Sequence, residues 1–429
     1  MKNFIASLRW RGMIHDMVPG TAEHLSSGMA TGYVGFDPSA PSLHLGNLVA
    51  IMLLKHFQEA GHQPIALVGG ATGMIGDPSG RSQERLFLTE EVLRYNESCI
   101  AKQLEKFLDF STGQNKALLL NNFDWFKDIS FLSLLREVGK HIPIGYMMAK
   151  DSVKQRIETG ISYTEFSYQL LQAYDFYYLY LHKNVTLQMG GSDQWGNLTT
   201  GVELIRKKAQ CQAFAVTAPL LTRADGTKFG KTASGSNIWL DPAKTSPYEL
   251  YQFLLNGGDH EVEKLIKIFS FCTQEEVEAF ILAHQAKPEM RLLQQTLAKI
   301  VTTMVHSEAA CRQAMVCSNI LFGHTDSVEA LYALSEEDLL NVCITIPKVP
   351  IARTALEAVD TMVSLLSVAT ENRIIPSKSE ARRVIASSGM KVNKVLITDP
   401  YKKPDVALLH NRYLLVQKGK KNYYLIVVE

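Results

Sequence analysis

Tyr168, Gln172 and Asp175 stand four and then three positions apart within the segment EFSYQLLQAYD, residues 165–175. On a helix that spacing puts all three on one face. A face packed on a core carries apolar groups, because buried polar groups are costly without partners. The stripe therefore faces either solvent or a polar ligand. A second cluster is Pro38–Asn47, PSAPSLHLGN, between a strand-like run and an apolar helical stretch. A helix start offers free N–H groups and a positive dipole end, which attract phosphate. His44 and Asn47, three apart, would share the first helical turn, and both can donate to phosphate oxygens. Gly46 would let a flat group such as a base approach the backbone. The plainer reading of His44 is a capping residue. A third cluster is Lys228-Phe-Gly230-Lys231-Thr232, preceded by TRADG at 222–226. Two lysines on such a loop suit charge on a leaving pyrophosphate. The plainer reading is a solvated surface turn.

These clusters need a scaffold. Tyr33–Phe36, Pro64–Val68, Lys116–Leu120 and Val185–Met189 are short apolar strand-like runs, and Leu45–Phe57 spaces its apolar residues like a buried helix. Such strands separated by helices indicate a parallel sheet covered on both faces. Chemistry in these folds sits at the carboxyl ends of the strands. The glycine-rich turns after Phe36, Val68 and Met189 fall there. One of them, GGATGMIGDPSG at 69–80, lacks a clean GxGxxG, so a dinucleotide-binding dehydrogenase is a poor reading. Beyond Pro247 the pattern turns helical, over Tyr248–Leu255, Gln274–Ala286 and Glu289–Val305. Pro347 and Pro350 look like a linker. Past Arg373, Ser379–Ser388 has helix character, and Lys391–Ile397 and Tyr423–Val428 look like strands. The expected organisation is an α/β chain. It has a parallel-sheet domain at 1–222, a loop and connection at 223–246, a helical domain at 247–340, a linker at 341–360 and a small α+β domain at 361–429.

Across 429 residues, 46% are apolar and 20% charged, as in an ordinary globular protein, which excludes a wholly disordered or collagen-like chain. No apolar run is long enough for a membrane-crossing helix. The net charge of +1 argues against a nucleic-acid partner only as an average. Residues 373–429 hold twelve Lys and Arg against four acids, an excess of +8, and the remainder carries −7. A basic tail of that kind suits RNA. None of the six cysteines forms a CxxC pair or a zinc-like spacing. The first ten residues, MKNFIASLRW, lack the apolar core of a secretory signal. Reduced thiols in a cytoplasm are the expectation.

Together, HLGN and KFGKT about 180 residues later resemble the HIGH and KMSKS signatures of class I aminoacyl-tRNA synthetases. Tyr33-Val-Gly35-Phe-Asp37-Pro38, the segment Gly70–Gly80, EFSYQLLQAYD and QMGGSDQWGN at 188–197 narrow this to the bacterial tyrosyl-tRNA synthetases, a likeness that covers the whole chain. The resemblance implies a Rossmann-like catalytic domain. It also implies a ligase that joins L-tyrosine and ATP into tyrosyl-adenylate and pyrophosphate, then passes tyrosine to the 3′ end of tRNA(Tyr). Tyr33 and Asp175 would hold the phenolic hydroxyl, and a phenylalanine ligand would leave them unpaired. Asp77, Tyr168 and Gln172 would hold the α-ammonium group, with Gln188 also in the tyrosine site. ATP would lie against Gly35, Asp37, Ser39, His44, Gly46, Asn47, Gly191, Asp193, Gln194 and Lys231. His44, Asn47, Lys228, Lys231 and Thr232 would face the charge that develops on the phosphates. Asp37 before Pro38 could equally be a turn former, and Asp193 a helix cap.

Two departures stand out. The second histidine of HIGH is Asn47, which keeps a donor but cannot become charged. The central serine of KMSKS is Gly230, which would add mobility to the loop. By resemblance, the helical domain would recognise the anticodon. The segment Ser377–Asn393 is similar to the small RNA-binding domain of ribosomal protein S four, with Arg382, Arg383 and Lys391 toward RNA. A homodimer is expected, and Mg²⁺ would accompany ATP without an assignable protein ligand. No membrane partner and no resident metal site are expected. The competing readings are another adenylate-forming enzyme of the same superfamily and a non-catalytic RNA-binding protein. The pair Tyr33 and Asp175 argues against the first, and intact His44, Lys228 and Lys231 against the second.

Overall fold

A computed structural model describes residues 2–80, 87–157, 160–223, 226–227, 229–231, 235–322, 328–343, 346–405, 407–419 and 422–429. Its packing divides the chain into two units, 1–308 and 309–429.

The first unit is built on a six-stranded sheet. Its strands are β1 (Asp16–Met17), β2 (Thr31–Phe36), β3 (Gln63–Val68), β4 (Leu118–Asn121), β5 (Val185–Gly191) and β6 (Phe214–Ala218). Their order is β1-β6-β5-β2-β3-β4. All neighbours run parallel except β1 against β6. The continuous apolar run of β3 and the fully buried β6 are what a sheet covered on both faces requires. Chain order runs outward from β2 through β3 to β4, then returns to β5 on the other side of β2. This is the doubly wound α/β class, and β2 beside β5 is its switch point, where such sheets open a crevice for ligands. Tyr33 of β2 lies opposite Gln188 of β5 in the register.

Four of these strands match apolar runs legible in the sequence. Two do not. Strand β1 has only two residues, and the five-residue run of β6 has no periodicity that separates it from a helical turn. The helix expected over Leu45–Phe57 spans Leu48–Glu59, so His44 and Asn47 occupy the turn before it rather than its first turn. It packs on β2, β3 and β5. The polar stripe rides on a 21-residue helix, Tyr163–Lys183, whose start is capped when Ser162 Oγ accepts from the Glu165 N–H. That helix packs on β5 and on the helix Trp195–Ala209. Tyr33, Ile65, Leu67, Phe176, Leu179, Val185 and Ile205 form the core between these elements.

The helices Pro247–Leu255 and Gln274–Ala286 each begin with a capping box, Ser246 with Glu249 and Thr273 with Glu276. The division at 308/309 falls inside the stretch 247–340. A physical tie holds the earlier helices to the sheet unit. The buried Arg11 guanidinium donates to the carbonyls of Lys267, Ser270 and Cys272, at the end of the helix Asp259–Phe269. That helix also packs on Leu48–Glu59.

The second unit carries a five-stranded sheet in the order β7-β11-β10-β8-β9. These strands are β7 (Lys348–Ile351), β8 (Met390–Val392), β9 (Val395–Leu396), β10 (Tyr413–Lys418) and β11 (Asn422–Val428). The stretch read as a linker, 341–360, thus contributes β7, paired parallel to β11. Pro350 is tolerated because β7 is an edge strand, where a missing N–H breaks no ladder. The single strand read over Lys391–Ile397 is two, joined by Asn393 and Lys394, both at positive φ (46° and 68°). Two successive left-handed residues make the tight turn that reverses a hairpin. The helix Lys378–Ala386 packs on the core of this unit through Ala381 and Ile385. Among the described residues, no helix is long and apolar enough to cross a membrane.

Candidate active site

The carboxyl ends of β2, β3, β4 and β5 carry most of the residues singled out from the sequence. Asp175 is buried, 2% exposed. Asn122 Nδ2 donates to its Oδ2 at 3.0 Å, and Trp125 Nε1 donates to its Oδ1 at 2.9 Å. Burial pushes the carboxyl up to about 8, with the two hydrogen bonds pulling down and the charge of Asp37 pushing up. Tyr33 is 1% exposed, and its ring stands edge-on to Phe176. Burial, then the charge of Asp175, holds its phenol well above the usual tyrosine range, so it is a neutral donor. Its hydroxyl has no hydrogen-bond partner among the described residues. Buried polar atoms are seldom left so, and this one fits a ligand that brings its own polar group.

Around this pair the polar stripe is brought together with two further carboxylates. Tyr168 donates its hydroxyl to Asp37 Oδ2 at 2.9 Å, and Thr72 donates to Asp37 Oδ1 at 2.8 Å. Asp77 is buried. It accepts from Gln194 Nε2 at 2.6 Å and from the Ser79 N–H at 3.0 Å. Gln194 thus bonds to a residue that the resemblance assigns to the ammonium group rather than to the nucleotide. The side-chain oxygens of Gln172 and Gln188 are buried and, among the described residues, accept no hydrogen bond.

Backbone approach is closest where glycines stand. A Cβ on Gly69 would lie 2.2 Å from Asp37 Oδ1, and one on Gly70 would lie 2.3 Å from Asn121 Oδ1. Gly35 is exposed, with nothing within 4 Å of where its Cβ would be, so it lines open space. Ser39, also exposed, donates its N–H to the Asp37 carbonyl. At Gly191 a Cβ would come 2.7 Å from Asp193 Oδ1.

The two signature segments meet. Asn47 Oδ1 accepts from the His44 backbone N–H at 3.0 Å, closing the turn on itself. His44 bridges to Trp239, and the Leu45 N–H donates to the Ile238 carbonyl. Phe229 and Gly230 are buried against this turn, and a Cβ on Gly230 would lie 3.2 Å from the Gly46 N. Gly230 also has φ +91°, which a side chain would strain. Close approach and backbone conformation, rather than mobility, are thus what the structure gives as the reason for glycine here. The exposed Lys231 follows at once, its carbonyl accepting from Arg223. Lys228 and Thr232 lie outside the described residues. Arg382, Arg383 and Lys391 belong to the second unit, the two arginines on the helix Lys378–Ala386 and Lys391 on β8. The Arg382 guanidinium lies 5.7 Å from the ring of Tyr401.

Three residues of the site escaped the sequence reading: Thr72, Asn122 and Trp125. A signal for one of them was available. Asn121 and Asn122 directly follow the apolar run KALLL, so they stand where a parallel sheet places its chemistry. Among the described residues no three His, Cys, Asp or Glu side chains gather as a metal site.

Comparison with known proteins supplies the family. Residues 27–323 match the profile of the class I tRNA synthetases (W and Y). Residues 344–426 match the tyrosine–tRNA ligase SYY-like C-terminal domain. The chain is 59% identical to the tyrosine–tRNA ligase of Amoebophilus asiaticus over 428 residues, all of both chains. It is 58% identical to that of Cytophaga hutchinsonii, with 99% of each covered. A C-terminally truncated mitochondrial tyrosyl-tRNA synthetase of Aspergillus nidulans superposes with a TM-score of 0.68 at 30% identity, covering 75% of this chain and 95% of its own. A matching profile over most of the chain, and relatives alike from end to end, place it: the chain belongs to the tyrosine–tRNA ligase family of class I aminoacyl-tRNA synthetases, enzymes that activate L-tyrosine with ATP and transfer it to tRNA.

Proposed function

We propose that Tyr33 and Asp175 read the substrate's phenol, and that Asp77, Tyr168 and Gln172 receive its ammonium group. The observation that carries this reading is the buried pair of a Tyr33 hydroxyl with no partner among the described residues and an Asp175 carboxyl group pinned by two donors. The substrate hydroxyl donates to Asp175 and accepts from Tyr33. Three N–H donors of an ammonium group meet three acceptors: the Tyr168 hydroxyl oxygen, whose proton is spent on Asp37, the Gln172 carbonyl and the Asp77 carboxylate. Gln188 stands opposite Tyr33 in the strand register and belongs to the same site. The direct test is ATP–pyrophosphate exchange with tyrosine, phenylalanine and tryptophan. Exchange with tyrosine alone supports the reading, and equal exchange with phenylalanine would overturn it.

Adenylation needs no enzyme nucleophile, because the tyrosine carboxylate attacks the α-phosphorus itself. The chain supplies alignment and charge. His44, Asn47 and Lys231, with Lys228 and Thr232, face the leaving pyrophosphate. The turn holding His44 and the loop holding Lys231 are already packed together. Gly35, Asp37, Ser39, Gly46, Gly191, Asp193 and Gln194 surround the nucleotide. Mg²⁺ would travel with the ATP phosphates, since the residues on that side are donors rather than carboxylates.

The second unit binds RNA through Arg382, Arg383 and Lys391, supported by the +8 excess of residues 373–429. The helices of 247–340 contribute anticodon recognition. A homodimer is supported by the exposed apolar side chains Phe131, Leu132 and Ile144. Six free cysteines fit a reducing cytoplasm.

Three outcomes follow from these assignments. Lys231→Ala should lower the adenylation rate roughly a hundredfold in single-turnover assays and leave tyrosine affinity nearly unchanged. Asp175→Asn should abolish detectable tyrosine binding by calorimetry, and it should also change the pH dependence of stability. The folded parent keeps the Asp175 proton between 3.8 and about 8, where the unfolded chain has lost it. The parent therefore loses stability relative to Asp175→Asn as pH rises through that window, and no further above it. Melting curves at several pH values read this difference. Arg382→Ala with Arg383→Ala should weaken tRNA binding and flatten the plot of log affinity against log salt by about 1.5.

A further inference from the structure

We propose that the Thr72 hydroxyl is a positioning bridge, through which occupation of the phenol-reading end of the site tightens ATP binding at the other end. The proposal rests on the assignment of Asp175 to the substrate phenol and goes beyond it.

The geometry is a single run of side chains. Trp125 donates to Asp175 Oδ1 at 2.9 Å, and Asn122 Nδ2 donates to Asp175 Oδ2 at 3.0 Å. The same Asn122 nitrogen donates to Thr72 Oγ1 at 3.0 Å. Thr72 Oγ1 donates to Asp37 Oδ1 at 2.8 Å, and Tyr168 closes the run on Asp37 Oδ2. Two carboxylates are thus joined by one amide and one hydroxyl.

No member of the bridge has a spare orientation. Asn122 Oδ1 accepts from the Ala71 N–H at 2.7 Å, so its two N–H groups must face Thr72 and Asp175. A threonine hydroxyl has one proton, and Asp37 takes it. Thr72 and Asn122 are 3% and 0% exposed, so water does not compete. The backbone closes over the far bond: a Cβ on Gly69 would lie 2.2 Å from Asp37 Oδ1 and 2.4 Å from Thr72 Oγ1. A phenol that donates to Asp175 fixes Asn122, which fixes the Thr72 hydroxyl, which fixes Asp37 at the end of β2. Hydrogen bonds in such a run also polarise one another. A valine in place of Thr72 keeps the shape and removes the link.

The test is a linkage measurement on the full chain. The Kd of the α,β-methylene analogue of ATP is measured with and without saturating tyrosine, in the parent, Thr72→Val and Thr72→Ser. In the parent, tyrosine tightens the analogue several-fold, within the range usual for coupled sites. In Thr72→Val that ratio falls toward one, and in Thr72→Ser it returns. A purely structural role would weaken either ligand alone and leave the ratio unmoved, and that result overturns the proposal, as does an uncoupled parent. Should Thr72→Val not fold, Thr72→Ala removes the same hydroxyl and answers the same question. Normal tyrosine binding by Asp175→Asn would instead sink the underlying assignment, so the two failures are told apart.

Discussion

A carboxylate buried in a protein core must be solvated by the protein, and Asp175 sets that demand here. Its carboxyl group is 2% exposed. Burial favours the protonated form, and the pKa raised to about 8 records that preference. Asn122 and Trp125 oppose it with two N–H donors. Those donors come from the end of β4 and the short helix after it, while Tyr33 comes from the middle of β2 and Asp175 from a long helix. The doubly wound topology is what brings these distant segments to one place. A phenol would complete the set, as proposed, by donating to one partner and accepting from the other, and a plain aromatic ring cannot.

The glycines of the site follow from the same crowding. Gly69 and Gly70 let the β3 turn lie directly on Asp37, Thr72 and Asn121. Gly230 lets the lysine-bearing loop settle on the backbone of the HLGN turn. The HLGN turn and the loop of Lys231 are therefore held by main-chain contact between segments far apart in the chain. Asn47 uses its side-chain oxygen to brace His44, a task in which charge has no part.

The charge of the chain is uneven along its length: residues 1–308 sum to −2, residues 309–372 to −5 and residues 373–429 to +8. The nearly neutral first unit contains the six-stranded sheet and the carboxylates Asp37, Asp77 and Asp175. The basic end lies in the separate second unit, with Arg382 and Arg383 on an amphipathic helix whose other face packs on its own core. The carboxylate cluster and the basic segment thus lie in different units, and the near-zero total conceals the excess of the last 57 residues.

Much of this was legible in the sequence. Strands with continuous apolar runs declared a parallel sheet, because burial on both faces leaves no room for alternation. The i, i+4, i+7 stripe declared a polar helix face, because helical geometry alone fixes it. The excess charge of the tail is simple composition. What the sequence left open depends on contacts between segments with no local signature. Strand β7 hides behind two prolines and exists only because β11 offers an edge. The reason for Gly230 is a neighbour 184 residues away, Gly46. Thr72, Asn122 and Trp125 are ordinary residues until the fold sets them against two carboxylates. Local pattern reports which elements form and which faces are polar, whereas the partner of a buried polar group is decided only when tertiary packing excludes water from around it.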